Sequence, residues 1–357
     1  MKKAFSYSII ILLAVFFCFP GVTLAKTFRL VIGAGHPIDA AVWITPMRDF
    51  IQVEVKKRVE AETEHKIEWV EAYGGSLAKL GEVLEAVQSG LMDIGDTHVP
   101  FEPSKLKAYN FAYFVPFGTE DPVKAAKAAV KVFQDYPQLR QYLEKQYNQV
   151  YLATGAVNCY NLVTTFPWDK VSQLKGRKIA AAGPNIPWVQ AVGAVPVQSN
   201  LNEAYTSLQT GVYDGWVMLA DATASFKLHE VAKYYTITGF GAIPNTMITV
   251  NKNTWNSFPP KIQQIFRDIG NKYHDVETKM ALAKLDSSFK TMRDSGCQVR
   301  EMSWDEKVKW AMALPNIPKE RAKEITDGGL PGEVVYAYIK NLKDLGVKFP
   351  RDWSAEK

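Results

Sequence analysis

Between Lys261 and Ser295 apolar residues recur every three or four positions, at Ile262, Phe266, Ile269, Tyr273, Val276 and Met280, with Pro260 ahead of them and Gly296 behind. That spacing gathers one apolar stripe on a helix, and the flanking residues are helix start and stop signals. Unbroken, such a helix runs about 50 Å at ~1.5 Å per residue, which exceeds one lobe of a chain this size. A helix pair kinked near Gly270 has the same periodicity, so the pattern alone leaves both open.

The rest of the chain alternates strand and helix. Phe28 to Ile32 is a short β-prone run that stops at Gly33, and a helix is predicted from about Val42 to Glu62. A second strand is predicted over Lys66 to Tyr73, a helix over Leu80 to Gly90, and a third strand around Met92 to Ile94. A helix over Val123 to Phe133 carries Lys124, Lys127 and Lys131 on one solvated face, and Val150 to Thr154 resumes as strand. This alternation defines an α/β layer architecture.

At the start, Lys2 and Lys3 precede an apolar run from Ile9 to Phe19, broken by Pro20 and Gly21 and ending near Ala25. This is the pattern of a secretory signal cleaved after Ala25, too short to span a bilayer comfortably, so a periplasmic product is expected. The formal charge of +5 drops to +3 once Lys2 and Lys3 leave, too weak a balance to imply a nucleic-acid partner. About 330 mature residues favour two lobes over one core. With Cys159 and Cys297 alone left after processing, no disulfide framework is expected.

The run VIGAGHP at Val31 to Pro37 imitates a dinucleotide-binding turn, but Ile38 stands where the third glycine belongs and Pro37 stiffens the helix start. His36, His65, His98, His229 and His274 show no metal-ligand spacing, and no nucleophile elbow is present, so catalysis is not indicated. His36 and His98 each follow a predicted strand, where open α/β sheets present loops to ligands, although ordinary loop histidines occur there too.

Two blocks carry a family resemblance. Tyr73 to Gly95 reads YGGSLAKLGEVLEAVQSGLMDIG, and Gln173 to Met218 opens with QLKGRKIAAAG and closes with AYTSLQTGVYDGWVM. They resemble the DctP-type solute-binding proteins of TRAP (tripartite ATP-independent periplasmic) transporters. Leu208, Gln209, Thr210, Gly211, Val212, Asp214 and Gly215 follow the family's LQTGVVDGQEN pattern. Where the family usually writes LKGLKIRV, this chain has Leu174, Lys175, Gly176, Arg177, Lys178, Ile179 and then Ala180. The resemblance therefore makes it an atypical member without the usual ligand-clamping arginine, a planar two-pronged match to a carboxylate.

The resemblance implies a two-lobe periplasmic solute-binding fold with a central ligand cleft and a long lobe-connecting helix. With crossings expected near 156, 245 and 285, lobe I takes residues 26–156 with 245–285 and lobe II residues 157–244 with 286–357, after the signal peptide at 1–25. The partners implied are a small-molecule ligand and the TRAP membrane permease subunits, for a monomer or homodimer. Keto-acid and lactate binders use a Glu-Trp pair beside a metal near Val217 and Met218; its loss here implies no metal, and no cofactor is expected. Ligand-facing candidates are His36, Trp43, Gly75, His98, Asn158, Tyr160, Trp188, Trp216 and Met218. Asn158 and Tyr160 suit an uncharged hold on a polar group, or simply a hinge. The ligand expected is an aromatic or bulky apolar carboxylate or amino acid such as an indole compound. A C4-dicarboxylate or keto acid held by Arg48 or Arg177 is the alternative, as is a receptor serving a sensor kinase.

Overall fold

The computed structural model describes residues 25–355; the signal-peptide reading of residues 1–25 therefore lies almost wholly outside the described residues. Strands run in chain order β1 (Thr27–Ala34), β2 (Lys66–Ala72), β3 (Ile94–Asp96), β4 (Gln149–Gly155), β5 (Cys159–Thr164) and β6 (Lys178–Ala181). They continue with β7 (Val195–Gln198), β8 (Gly215–Leu219), β9 (Tyr234–Ala242), β10 (Thr246–Asn251) and β11 (Gln298–Glu301). One sheet is ordered β2-β1-β3-β10-β4 and the other β11-β9-β5-β8-β6-β7. Two sheets flanked by helices make this an α/β fold, as the alternation predicted, in the two lobes expected from chain length and the family resemblance.

The chain changes sheets between Gly155 and Cys159, returns between Ala242 and Thr246, and passes across again along one helix, Pro260–Asp294. That helix is continuous. It packs on β4 of the first sheet and on the helix Ala220–Ser225 beside the second, then leads into β11. Gly270 is a contact point within it: a side-chain carbon there would stand 2.6 Å from the Leu152 carbonyl oxygen, so glycine lets helix and strand approach. The C-terminal helix Val334–Asp344 packs on Pro122–Asp135, where Asn341 Nδ2 donates to the Ala128 carbonyl at 3.1 Å.

Two predicted elements shift. The third strand is Ile94–Asp96, not Met92 to Ile94, because Asp93 turns its carboxylate onto the Val31 backbone N–H at 2.8 Å and Met92 closes the preceding turn. The helix expected from Val42 begins as a wider π turn over Met47–Gln52 before Val53–Glu62 becomes α-helical.

The long helix clasps the crossings from below. Fully buried Glu277 accepts hydrogen bonds from Thr246 Oγ1 at 3.0 and 3.2 Å, and Thr246 Oγ1 accepts the Gly155 N–H at 3.1 Å. One turn on, the Ala281 carbonyl accepts from Asn158 Nδ2 at 2.9 Å, and that amide also donates to Asp221 Oδ1 at 3.0 Å. Burial holds the Glu277 carboxyl well above the usual range; the Thr246 bond opposes this and Asp96 adds to it. The folded chain thus keeps a proton that the unfolded chain releases above its ordinary value near 4.5. Stability from this group is full below that pH and falls as pH rises, by at most about 1.4 kcal/mol per unit. Glu277→Gln is expected to remove the slope, so that its urea-unfolding free energy gains on the wild type from pH 5 to pH 7. Parallel profiles for the two proteins would overturn this assignment.

Candidate functional site

Register builds the first wall of the site. β1 and β3 are parallel neighbours with Ala34 opposite Asp96, so His36 and His98, each two residues further on, emerge side by side at the strand ends. Their rings meet edge to face at 4.7 Å. Trp43 packs on His36 at 5.3 Å, and Phe101 lies 5.9 Å from His36 and 5.8 Å from His98. The backbone N–H of Gly74 donates to the His36 carbonyl at 2.9 Å and that of Gly75 to Ala34 at 3.3 Å, so the paired glycines hold this loop.

The opposite wall comes from the second sheet. Trp216 sits on β8 between Ala180 of β6 and Val163 of β5, with Met218 two residues on. Ala182, Ser199, Asn200 and Leu201 follow the ends of β6 and β7, and Asn200 caps the helix Leu201–Gln209. Between the walls, at the crossings, Tyr160 and Tyr113 share a 3.0 Å hydroxyl hydrogen bond, and Asn245 Nδ2 donates to both at 3.3 and 3.1 Å.

Together these elements line one cavity of about 430 Å³. Among the described residues the lining includes no lysine or arginine.

Of the predicted site residues, His36, Trp43, His98, Tyr160, Trp216 and Met218 line this cavity. Gly75, Asn158 and Trp188 do not. Gly75 buttresses β1 from a turn with φ of +75°, and Asn158 ties the crossing to the long helix. Trp188 is fully buried behind Tyr160, its Nε1 donating to the Tyr113 carbonyl at 3.1 Å. Neither alternative arginine reaches the cavity: Arg48 is paired with Asp39 and Asp49, and Arg177 lies 4.2 Å over the Phe166 ring. Sequence reasoning missed Phe101, Ser199, Asn200 and Asn245. The first three follow parallel-strand ends, a signal that was available; Asn245 owes its place to a crossing between sheets.

Burial lowers the basicity of His36 strongly, and neighbouring His98 lowers it further, so the ring is neutral. Burial likewise pushes the Tyr160 hydroxyl up to about 12, leaving a neutral hydrogen-bonding group. Asp96 Oδ1 accepts the Met247 N–H at 3.1 Å. Its Oδ2 lies 3.4 Å from His98 Nδ1 without hydrogen-bonding orientation. His36 Nδ1, Trp43 Nε1, His98 Nδ1, Asp96 Oδ2 and Asn245 Oδ1 are all buried without a protein hydrogen-bond partner. Four of these residues, His36, Trp43, His98 and Asn245, line the cavity, where a polar group of a solute could satisfy them.

Two sheets facing one cavity across three crossings define a two-lobe receptor for a small solute. The sequence comparison agrees: the family described as bacterial extracellular solute-binding protein, family 7 (DctP), matches residues 44–324, and the chain belongs to that family. Over 276 residues it is 25% identical to the C4-dicarboxylate-binding periplasmic protein DctP of Rhodobacter capsulatus, covering 72% of this chain and 77% of the relative. It is 27% identical over 235 residues to a monocarboxylate 2-oxoacid-binding periplasmic protein of Nostoc, covering 63% and 62%.

Among solved structures, a TRAP periplasmic solute-binding protein from Desulfovibrio salexigens superposes with a TM-score of 0.74 at 20% identity, covering 88% of this chain and 95% of that one. A pyroglutamic acid receptor of Bordetella pertussis, DctP7, superposes with a TM-score of 0.72 at 21% identity, covering 88% and 99%. The family is one of extracytoplasmic solute receptors that bind small ligands and work with membrane permease components; it is not an enzyme class. No helix among the described residues is long and apolar enough to cross a membrane.

Proposed function

We propose that this protein, exported by a cleaved signal over residues 1–25, captures an aromatic or bulky apolar carboxylate or amino acid such as an indole compound. It delivers that solute to a TRAP permease without transforming it, acting as a monomer or homodimer. Lobe I comprises residues 26–156 with 245–285 and lobe II residues 157–244 with 286–357, parting about the crossings to admit the solute. The observation that carries this reading is the cavity lining: Trp43, Phe101 and Trp216 contribute aromatic rings to it, and among the described residues no lysine or arginine joins them. Ala180, at the position that the sequence resemblance gives to the family's arginine, lies buried in β6 beside Trp216.

Burying an aromatic solute face of roughly 200 Å² contributes ~5 kcal/mol at ~25 cal/mol per Å², a large share of the ~8 kcal/mol that micromolar binding needs. The polar end meets Asn245, Tyr160 and the histidine pair. Thermal unfolding with succinate, pyruvate, glucuronate, tryptophan and indole-3-acetate tests this directly, because a solute bound to the folded state alone raises the midpoint. Indole acids or tryptophan are expected to raise it most. Stabilisation by the small dicarboxylate or keto acid alone ends the aromatic reading.

A further inference from the structure

The uncompensated polar atoms of the first wall are not scattered. One ring nitrogen each from His36 and His98 and one carboxylate oxygen of Asp96 lie within 4.8 Å of one another, and all three residues are buried. Two imidazoles and a carboxylate, leaving positions open, are a common ligand set for divalent transition metals. Tetrahedral ligands at ~2.0–2.1 Å from zinc stand about 3.4 Å apart, so a metal would draw the three groups closer by side-chain rotation.

The supporting shell is in place. Asp96 is anchored through its other oxygen by the Met247 N–H, and the His36 loop is pinned by Gly74. Such outer contacts hold ligands in orientation.

We infer that His36, Asp96 and His98 form a divalent-metal site, with zinc the first candidate, whose open position receives the carboxylate of the solute. This rests on the solute reading above and supplies what that reading lacks, a positive charge. A dication neutralised by one aspartate leaves a net charge of +1 beside a cavity whose lining, among the described residues, has no lysine or arginine. The expectation of no metal came from Val217 and Met218 on β8, in the other sheet, and from the absence of metal-ligand spacing among the histidines along the chain; the cluster at the ends of β1 and β3 is an arrangement that only strand register assembles.

The test uses mature protein stripped with EDTA, dialysed, and titrated with Zn²⁺ and Co²⁺. Wild type is expected to take up one metal per chain, with ligand-field absorption of four-coordinate Co²⁺ and X-ray absorption of the zinc form showing imidazole and no sulfur ligands. Asp96→Asn is expected to weaken metal binding at least about tenfold. His36→Gln/His98→Gln is expected to abolish it. Absence of stoichiometric uptake by wild type, a zinc spectrum without imidazole, or equal uptake by the double variant overturns the site, and the wild-type arms decide even if a variant fails to fold.

Indole-3-acetate is then titrated into metal-loaded and stripped protein. At least about tenfold tighter binding by the loaded form is expected, and equal affinity overturns the metal's part in holding the acid. The two readings fail differently. Metal uptake without any response to aromatic acids removes the solute class alone, whereas aromatic binding without metal uptake removes the metal alone.

Discussion

Gly155→Ala is expected to destabilise the fold by about 4 kcal/mol, at the upper end of what overpacking a core position costs. Gly155 ends β4 where the chain leaves the first sheet, and a methyl group there would overlap the Glu277 carboxyl on the long helix. Glu277 cannot swing aside without giving up its Thr246 bonds, and Thr246 in turn bonds the Gly155 backbone. The substitution therefore strikes strand, crossing and helix together. Urea unfolding measures the loss, and Gly155→Ala/Glu277→Ala supplies the control. Removing the carboxyl makes room for the methyl, so the double variant should lose well under the sum of the two single losses. Strict additivity would show that the two residues do not compete for space.

Trp188→Ala is expected to cost about 3–5 kcal/mol, as for other fully buried large aromatics. Its indole packs on Phe240 at 5.3 Å and on Tyr113 at 6.1 Å, and its backbone carbonyl accepts from Trp310 Nε1 at 2.8 Å. Losing the ring opens a cavity behind the site and strips the Tyr113 carbonyl of its donor. Trp188→Phe restores part of the ring volume without the N–H, and is expected to recover part of the stability while solute affinity stays within about twofold. A large loss of affinity in the phenylalanine variant at unchanged fold would return Trp188 to the ligand surface. Thermal unfolding and solute titration on the same preparations separate the outcomes.

Trp188 and Asn158 show where sequence reading fails. An aromatic or amide side chain beside a cleft suits a solute contact and a packed interior equally well, and the deciding partners, Trp310 and Ala281, lie more than a hundred residues away. His36 and His98 were legible because a glycine turn or a strand end precedes each of them in the local pattern. Their meeting was not. The parallel pairing of Ala34 with Asp96 brings them together across sixty residues, and Asp96 joins them from the same register. Asn245 carried no local signal, since its role depends on Tyr113 and Tyr160 arriving from opposite sides of a crossing.

The helix Pro260–Asp294, the strands β1, β2 and β4, and the alternation that makes the fold α/β were determined by the sequence itself, because periodicity and glycine or proline boundaries act within a few residues. The continuity of that helix through Gly270, the burial of Glu277, the composition of the cavity and the His36, Asp96 and His98 cluster were decided only in tertiary structure. Each depends on side chains from distant strands sharing one small volume, and contact at that range leaves no period in the chain.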